Sequence, residues 1–483
     1  MIGPRVVIVG AGPAGLMAAC EAHNRGAHVT LVDEAPWPGG QIYRQAAPEL
    51  GASRVGLASE RKRKQSILEA FARVVNDIDY RANATAYAVY PGPEVHIAQD
   101  DRAEVVKSDA LILATGLSER AVPFPGWTLP GVLYAGGTQA LMKAHQVRAG
   151  DNVVIAGTGP LPIALGAQLV EAGAKIHCIA LLHPLRRMAV RPLALWAGRS
   201  VVREGFEYLR ILKRAGVELL EGWIPLRADG SQRVEHVTLA RHDGNGRPVS
   251  TSERRIGCDL LAINFGFTAN SELVRMAGAK LEYHPERGGW IPLADRFCRT
   301  SVDGVLVAGD GAGLRGAWVA AAEGRIAGAA AVESARQGNL DTLSREVAPA
   351  FAERKRHTKF QLAVGETLRL PPPVWSWADD DTVICRCEGV TRKRLQQAIA
   401  DGHVTLDAIK RNTRAGMGWC GGRTCLQTIA ALTAEGHPSP ATLPMTPRPL
   451  ARPVQIGTIA ECREQTRIDS STSVFEQKDY AHS

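Results

Sequence analysis

The sequence predicts an α/β protein made of two dinucleotide-binding, Rossmann-like domains and a small, mainly helical cysteine domain at the C-terminal end. Three observations predict it. A strand, glycine turn, helix and second strand open the chain at residues 5–33. A second unit of the same order spans residues 152–180. Beyond a proline run at 371–373, Cys385 and Cys387 precede a second pair, Cys420 and Cys425.

The bulk numbers agree. At about 100–200 residues per domain, 483 residues imply two to four domains. Hydrophobic residues at 45% and charged residues at 22% exclude broad disorder. The 49 glycines, with only 5% aromatics, suit a nucleotide-binding protein rich in tight turns. A formal charge of +8 raises nucleic acid or an anionic surface as partners. No groove-reading or aromatic motif accompanies that charge, which argues against nucleic acid. The densest basic stretch, 183–214, carries Arg186, Arg187, Arg191, Arg199, Arg203, Arg210, Lys213 and Arg214, and reads as the solvated or partner-facing side of a helix. The first strand begins near Arg5, so no signal peptide is expected. No run of eighteen apolar residues occurs, so no transmembrane helix is expected either. The predicted location is cytoplasmic, free or peripheral to the inner membrane face. In that compartment nine cysteines point to metal or redox chemistry rather than disulfides.

The first unit is the most informative. Arg5–Val9 is a strand-length apolar run, followed by Gly10-Ala11-Gly12-Pro13-Ala14-Gly15 and a helix to about Arg25. Gly26 ends the helix, and His28–Val32 is a strand that closes on Asp33-Glu34. Gly10 permits the tight turn, Gly12 lets a pyrophosphate approach the backbone, and Gly15 lets helix and strand pack closely. The phosphates then lie at a helix N-terminus, where free N–H groups favour anions. Asp33 stands where a carboxylate would bond ribose hydroxyls.

Three more stretches favour a flavin here over a nicotinamide. Gly39-Gly40-Gln41-Ile42-Tyr43-Arg44 follows the second strand, Leu111–Leu113 runs into Ala114-Thr115-Gly116, and Val305–Ala308 runs into Gly309-Asp310. Together these segments resemble the FAD motifs of the flavoproteins with two dinucleotide-binding domains, the glutathione- and thioredoxin-reductase type. The resemblance implies an FAD domain at 1–120 and 265–350 and places the ribitol-binding carboxylate on Asp310. The disulfide-reducing members need a cysteine pair beside the flavin. Cys20, Cys178, Cys258 and Cys298 make no close pair and read as small buried residues.

The second unit, within a predicted domain at 121–264, departs from that pattern. Val153–Ala156 is a strand, Gly157-Thr158-Gly159-Pro160-Leu161-Pro162 the turn, and Ile163–Glu171 the helix. Pro162 replaces the third glycine, and the following strand, through Cys178-Ile179-Ala180, ends without the acid that bonds the ribose of NAD. Nicotinamide, another nucleotide and an empty site all stay open.

Residues 351–380, with Pro371–Pro373 and Asp379–Asp381, read as a linker, 381–440 as the cysteine domain and 441–483 as a tail. Helices are expected at Thr391–Ala400, Thr405–Arg411 and Arg423–Ala434. Four thiolates at Cys385, Cys387, Cys420 and Cys425 satisfy a [2Fe-2S] cluster, two per iron. Zinc is the alternative, but a Cys-x-Cys pair is tight for it. Glycines around Cys420 free backbone N–H groups for cluster sulfurs. The segment resembles the bacterioferritin-associated-ferredoxin-like [2Fe-2S] domain, with a wider second pair.

Taken in order, flavoprotein, cluster and a tail with Arg448-Pro449 and Arg452-Pro453 resemble one family over nearly the whole chain. These are the α subunits of multi-subunit amino-acid and opine dehydrogenases, designated A in most members and B in hydrogen cyanide synthase. The resemblance implies a DAAO-like FAD β subunit that oxidises the amine, a small ferredoxin-like subunit, an FMN at the interface in some members, and a quinone or other acceptor. It makes this chain an electron relay. Two other readings compete: a self-sufficient NAD(P)H-dependent reductase, and a mainly structural assembly subunit. None of the thirteen histidines stands in a recognisable catalytic setting, His145 and His183 included, and no catalytic residue is assigned.

Overall fold

The computed structural model describes residues 3–460 and 463–464, apart from 52–54, 191, 435, 437 and 439–441. Arg191 of the basic stretch and residues 465–483 of the predicted tail lie outside the described residues.

Two parallel five-stranded sheets organise the chain. The first runs Val305–Val307, Ala110–Leu113, Arg5–Val9, His28–Val32, Asp79–Arg81. The second runs Glu218–Glu221, Lys175–Leu181, Asn152–Gly157, Leu260–Asn264, Val132–Tyr134. In each, the strand before the glycine turn is central, so the turn opens at the end of the sheet where strand order reverses and ligands bind. These strands are continuous apolar runs because both faces are covered: Val6, Ile8, Leu111 and Ile112 are buried, as are Val153 to Ala156.

Small residues set the helix packing on the first sheet. Pro13–Asn24 lies against Gly316–Ala335. A Cβ on Gly324 would stand 2.1 Å from the Ala14 carbonyl oxygen, and one on Gly328 2.5 Å from that of Ala18. Two glycines four residues apart therefore let the two backbones touch. Between the sheets the chain crosses twice, at Leu117–Glu119 and Phe267–Ala269, which pair antiparallel.

Residues 351–380 correct the linker expectation. Ala348–Thr367 is a twenty-residue helix packed on Gly316–Ala335, and Pro372–Ser376 is a short 3-10 helix. Trp375 and Trp377 are buried in the core of the second domain, and the Trp377 indole donates to the Gly246 carbonyl at 2.8 Å. A proline run and three aspartates signal a break in regular structure, but they do not show that two tryptophans between them find a core.

The cysteine domain has a two-stranded ribbon, Val383–Cys385 with Val390–Thr391, and three helices, Arg392–Ala400, Leu406–Thr413 and Leu426–Thr433. Thr391 and Thr405 cap the first two through their side-chain oxygens. The third begins three residues later than expected, because Cys425 occupies its N-cap position. The domain core includes Trp290 from a hairpin at 281–292.

Candidate functional site

Two sites emerge, one at the first glycine turn and one among the four thiols. At the first, Gly10 has φ +107°, and a Cβ there would stand 2.4 Å from the Ala114 carbonyl oxygen. A Cβ on Gly15 would stand 1.7 Å from the Gly10 oxygen, and one on Gly40 2.8 Å from the Gly12 Cα. Gly12 is different. A Cβ there would meet only the Gly40 Cα, at 3.8 Å, so the space before the helix is open. The helix has Gly12 at its N-cap, Pro13 at its start, no side-chain cap and no acid in its first turn. Its first N–H groups are thus left for an anion, as a pyrophosphate requires.

The carboxylates differ in their duties. The sequence puts Asp33 on the ribose; in the structure its Oδ2 accepts the Ala11 N–H and its Oδ1 accepts the Ala35 N–H at 2.7 Å, which leaves each oxygen a further lone pair. Asp33 therefore ties the glycine loop to the end of the second strand. Burial raises its pKa, against those two bonds. The exposed carboxylate at that edge is Glu34, which meets Arg452 Nε at 3.2 Å. Gln41 is exposed and Arg44 half-buried on the loop beyond, with Arg44 close enough to Asp33 to favour its ionised form.

At the far end of the site, Asp310 Oδ1 accepts from the N–H groups of Arg315 (2.8 Å) and Gly316 (2.7 Å). Its carboxyl is held at the start of the helix Gly316–Ala335, with its pKa raised by burial. A Cβ on Gly309 would lie 2.8 Å from the Ala14 Cβ, which brings the Gly-Asp turn against the first helix. Thr115 Oγ1 donates to the Asn270 carbonyl at 2.7 Å, and Asn270 Nδ2 returns a bond to the Thr115 carbonyl at 3.0 Å. Thr115, Gly116, Gly309 and Asp310 are thus brought to one end of the sheet with Gly10, Gly12, Pro13, Ala14 and Gly15.

Two supports escape a reading of the sequence. Asn270 braces the Thr115 turn. Glu323 is 2% exposed, accepts the Gly309 N–H at 3.0 Å and pairs with Arg315 at 2.8 Å. It does leave a signal: a lone carboxylate inside the apolar run Ala320-Ala321-Ala322-Glu323-Gly324.

The four cysteines also converge. Cys385, Cys420 and Cys425 are buried and Cys387 is half-buried. Their thiols meet as two hydrogen-bonded pairs, Cys385 with Cys425 and Cys387 with Cys420. The N–H groups of Cys387, Glu388 and Gly416 point at the Cys385 sulfur, and that of Cys420 at the Cys387 sulfur. Such donors stabilise thiolate and sulfide charge. Among the described residues no group of three or more His, Cys, Asp or Glu side chains is placed to hold a metal ion. The two thiol pairs match the two thiolates per iron that a [2Fe-2S] cluster takes. Glycine is required in the loop, since a Cβ on Gly418 would stand 2.2 Å from that of Cys387.

The remaining described cysteines stand apart. Burial pushes the thiols up to about 11 for Cys20 and about 12 for Cys178 and Cys258, which leaves them unreactive. At the second glycine turn the helix starts at Pro160, so Pro162 sits inside its first turn rather than before it. Gly166, one turn on, makes the close approach, its Cβ position 2.6 Å from Ile179 Cδ1. Leu368 comes within 3.6 Å of the Cβ position of Gly159. His183 stands two residues beyond the end of the second strand at Leu181. Its Nδ1 accepts from Arg187 at 2.9 Å and its Nε2 donates to the Arg369 carbonyl at 3.0 Å. Burial pushes it down to about 4. His145 is exposed.

Comparison with known proteins gives the same two parts. Residues 4–324 match the pyridine nucleotide-disulphide oxidoreductase family and residues 383–435 the BFD-like [2Fe-2S] binding domain. The chain is 31% identical to the A subunit of opine oxidase from Agrobacterium tumefaciens, over 96% of its own length and 92% of that protein. It is 33% identical to the HcnB subunit of hydrogen cyanide synthase from Pseudomonas aeruginosa, over 87% and 91%. The fold matches the crystal structure of L-proline dehydrogenase from P. horikoshii with a TM-score of 0.66 at 19% identity, covering 94% of this chain and 79% of that one. It also matches T. acidophilum thioredoxin reductase, TM-score 0.51 at 20% identity, covering 70% and 98%.

Proposed function

We propose a function from this premise: the chain belongs to the pyridine nucleotide-disulphide oxidoreductase family, in the group of the opine oxidase A subunits and HcnB, and it is a flavin-dependent oxidoreductase with a [2Fe-2S] domain. Its role is to relay electrons in a heteromeric amino-acid or opine dehydrogenase. It takes them from a partner flavoprotein, a DAAO-like β subunit that oxidises the substrate, and delivers them to a quinone or other acceptor.

FAD supplies two-electron chemistry and the cluster one-electron steps. The residues set where each is held. Gly10, Gly12, Gly15 and the open helix N-terminus would receive the pyrophosphate, Asp33 or Glu34 would supply the carboxylate toward the ribose, and Asp310, pinned by two N–H bonds, would supply the one toward the ribitol. Cys385, Cys387, Cys420 and Cys425 would hold the irons. The observation that carries the relay is that the thiol domain is fixed to the flavoprotein body. Trp127 Nε1 donates to the Val383 carbonyl at 2.7 Å, Thr428 Oγ1 to the Ala121 carbonyl at 3.1 Å, and Trp290 Nε1 to the Thr442 carbonyl at 2.8 Å. A fixed separation is what repeated electron transfer between two centres needs.

The rival NAD(P)H reductase rests on the second glycine turn. Leu368 against Gly159 and the apolar Leu181, which the register sets where Asp33 stands in the first unit, count against it. The deciding experiment adds NADH and NADPH in turn to the anaerobic chain. Flavin and cluster bands that stay oxidised support the relay; rapid bleaching establishes the reductase.

A further inference from the structure

The helix Arg199–Arg214, with the short helix Pro192–Ala197 before it, carries an outer stripe that nothing in the relay uses. Its inner face is accounted for: Glu204, Tyr208 and Leu212, four apart, are buried, and Glu204 is paired with Arg63. The outer face reads Trp196, Arg199, Arg203, Phe206, Arg210 and Lys213, at steps of three and four that keep one side of a helix in line. All six are exposed, Trp196 at 71% and Phe206 at 62%. The Arg199 guanidinium lies 5.3 Å over the Trp196 ring, so aromatic and cation present one surface. Arg214 adds a fifth cation, and the Glu207 carboxylate sits 3.8 Å from Arg203.

A solvated helix face has no use for two bare aromatic rings. The combination is that of a helix lying in the plane of a bilayer surface, with rings at the headgroup boundary and basic groups on anionic lipid phosphates. The long helix, about 24 Å at 1.5 Å per residue, lays this line along the protein's outside. No helix among the described residues is long and apolar enough to cross a membrane, so the contact would be peripheral. We infer that the stripe from Trp196 to Lys213 docks the chain on an anionic membrane surface. An acidic protein surface is the competing occupant; a single convex helix with alternating rings and long cations offers it no pocket or sheet edge to complement.

The test is co-sedimentation of the full chain with vesicles. At low salt it should bind vesicles of phosphatidylglycerol with phosphatidylcholine and not those of phosphatidylcholine alone. Two double variants, Trp196→Ser with Phe206→Ser and Arg203→Glu with Arg210→Glu, should each weaken binding about tenfold or more, since one basic group at an anionic surface contributes roughly a fivefold factor. Unchanged circular dichroism and flavin content would show that these surface variants still fold. Failure of the native chain to bind anionic vesicles overturns the inference. So does undiminished binding by both variants, or a stripe needed only for co-elution with a partner subunit. The measurement reads binding and no electron transfer, so it stands or falls separately from the relay.

Discussion

Single residues carry the sharpest tests. Cys420 is 5% exposed and its thiol meets that of Cys387. Cys420→Ser is expected to abolish the cluster's visible absorption and lower iron content while the flavin spectrum persists; unchanged iron would refute the ligand assignment. Glu119 offers a test of another kind. Its carboxylate accepts from Asn264 Nδ2 at 2.7 Å and the Gly136 N–H at 2.8 Å, and burial pushes it up to about 7 from 4.5. Below about pH 4.5 it is protonated in folded and unfolded chain alike. Between about 4.5 and 7 the folded chain keeps a proton that the unfolded chain releases, so Glu119 favours folding less as pH rises through that window. Urea denaturation at several pH values should show this fall, and Glu119→Gln should reduce it. An identical slope in both proteins would count against the carboxylate. No such role is legible in the sequence: Glu119 lies in a stretch without a motif, and only the helix start at Ala135 and Asn264, brought in by folding, give it meaning.

At the scale of elements, the legible parts are those whose residues are adjacent in the chain. The first glycine unit, the strand into Thr115 and the strand into Gly309-Asp310 lie where periodicity and small-residue turns put them. The first two helices of the cysteine domain, expected at 391–400 and 405–411, are equally readable. What stays hidden depends on distant partners. The helix Ala348–Thr367 is masked by a composition that suggests a linker, because its core contacts are with a helix reached only after folding. The position of Asp33 fits a ribose contact, while its bonds to Ala11 and Ala35 depend on the loop's path. Among the elements that dock the thiol domain, Trp127 is 2% exposed and its indole N–H serves the ribbon at Val383. Trp127→Phe keeps most of the ring and deletes that donor, leaving the half-buried Val383 carbonyl short of one bond. Destabilisation of about 1–3 kcal/mol is expected, read by denaturant titration of the visible cluster band. No shift in midpoint would mean the domain is held without this bond.

For the whole molecule, the proposed relay leaves the choice of substrate to the partner flavoprotein. The isolated protein should oxidise no amino acid or opine, and addition of the partner flavoprotein should restore turnover and reduce this chain's centres. Robust oxidation by the chain alone would end the relay model. Near Glu34, the C-terminal segment joins both halves. Ala451 donates to the Tyr87 carbonyl at 2.6 Å and accepts from Arg423, while Arg452 reaches Glu34.

Trp290 has a further meaning. It belongs to a hairpin of the flavoprotein yet completes the hydrophobic core beneath the thiols, alongside Ile384, Leu395, Ile409 and Ile429. The cysteine segment is therefore not a portable module. Cut out and grafted elsewhere, it would lack one wall of its own interior, and engineers seeking a detachable redox tag would have to carry the hairpin with it.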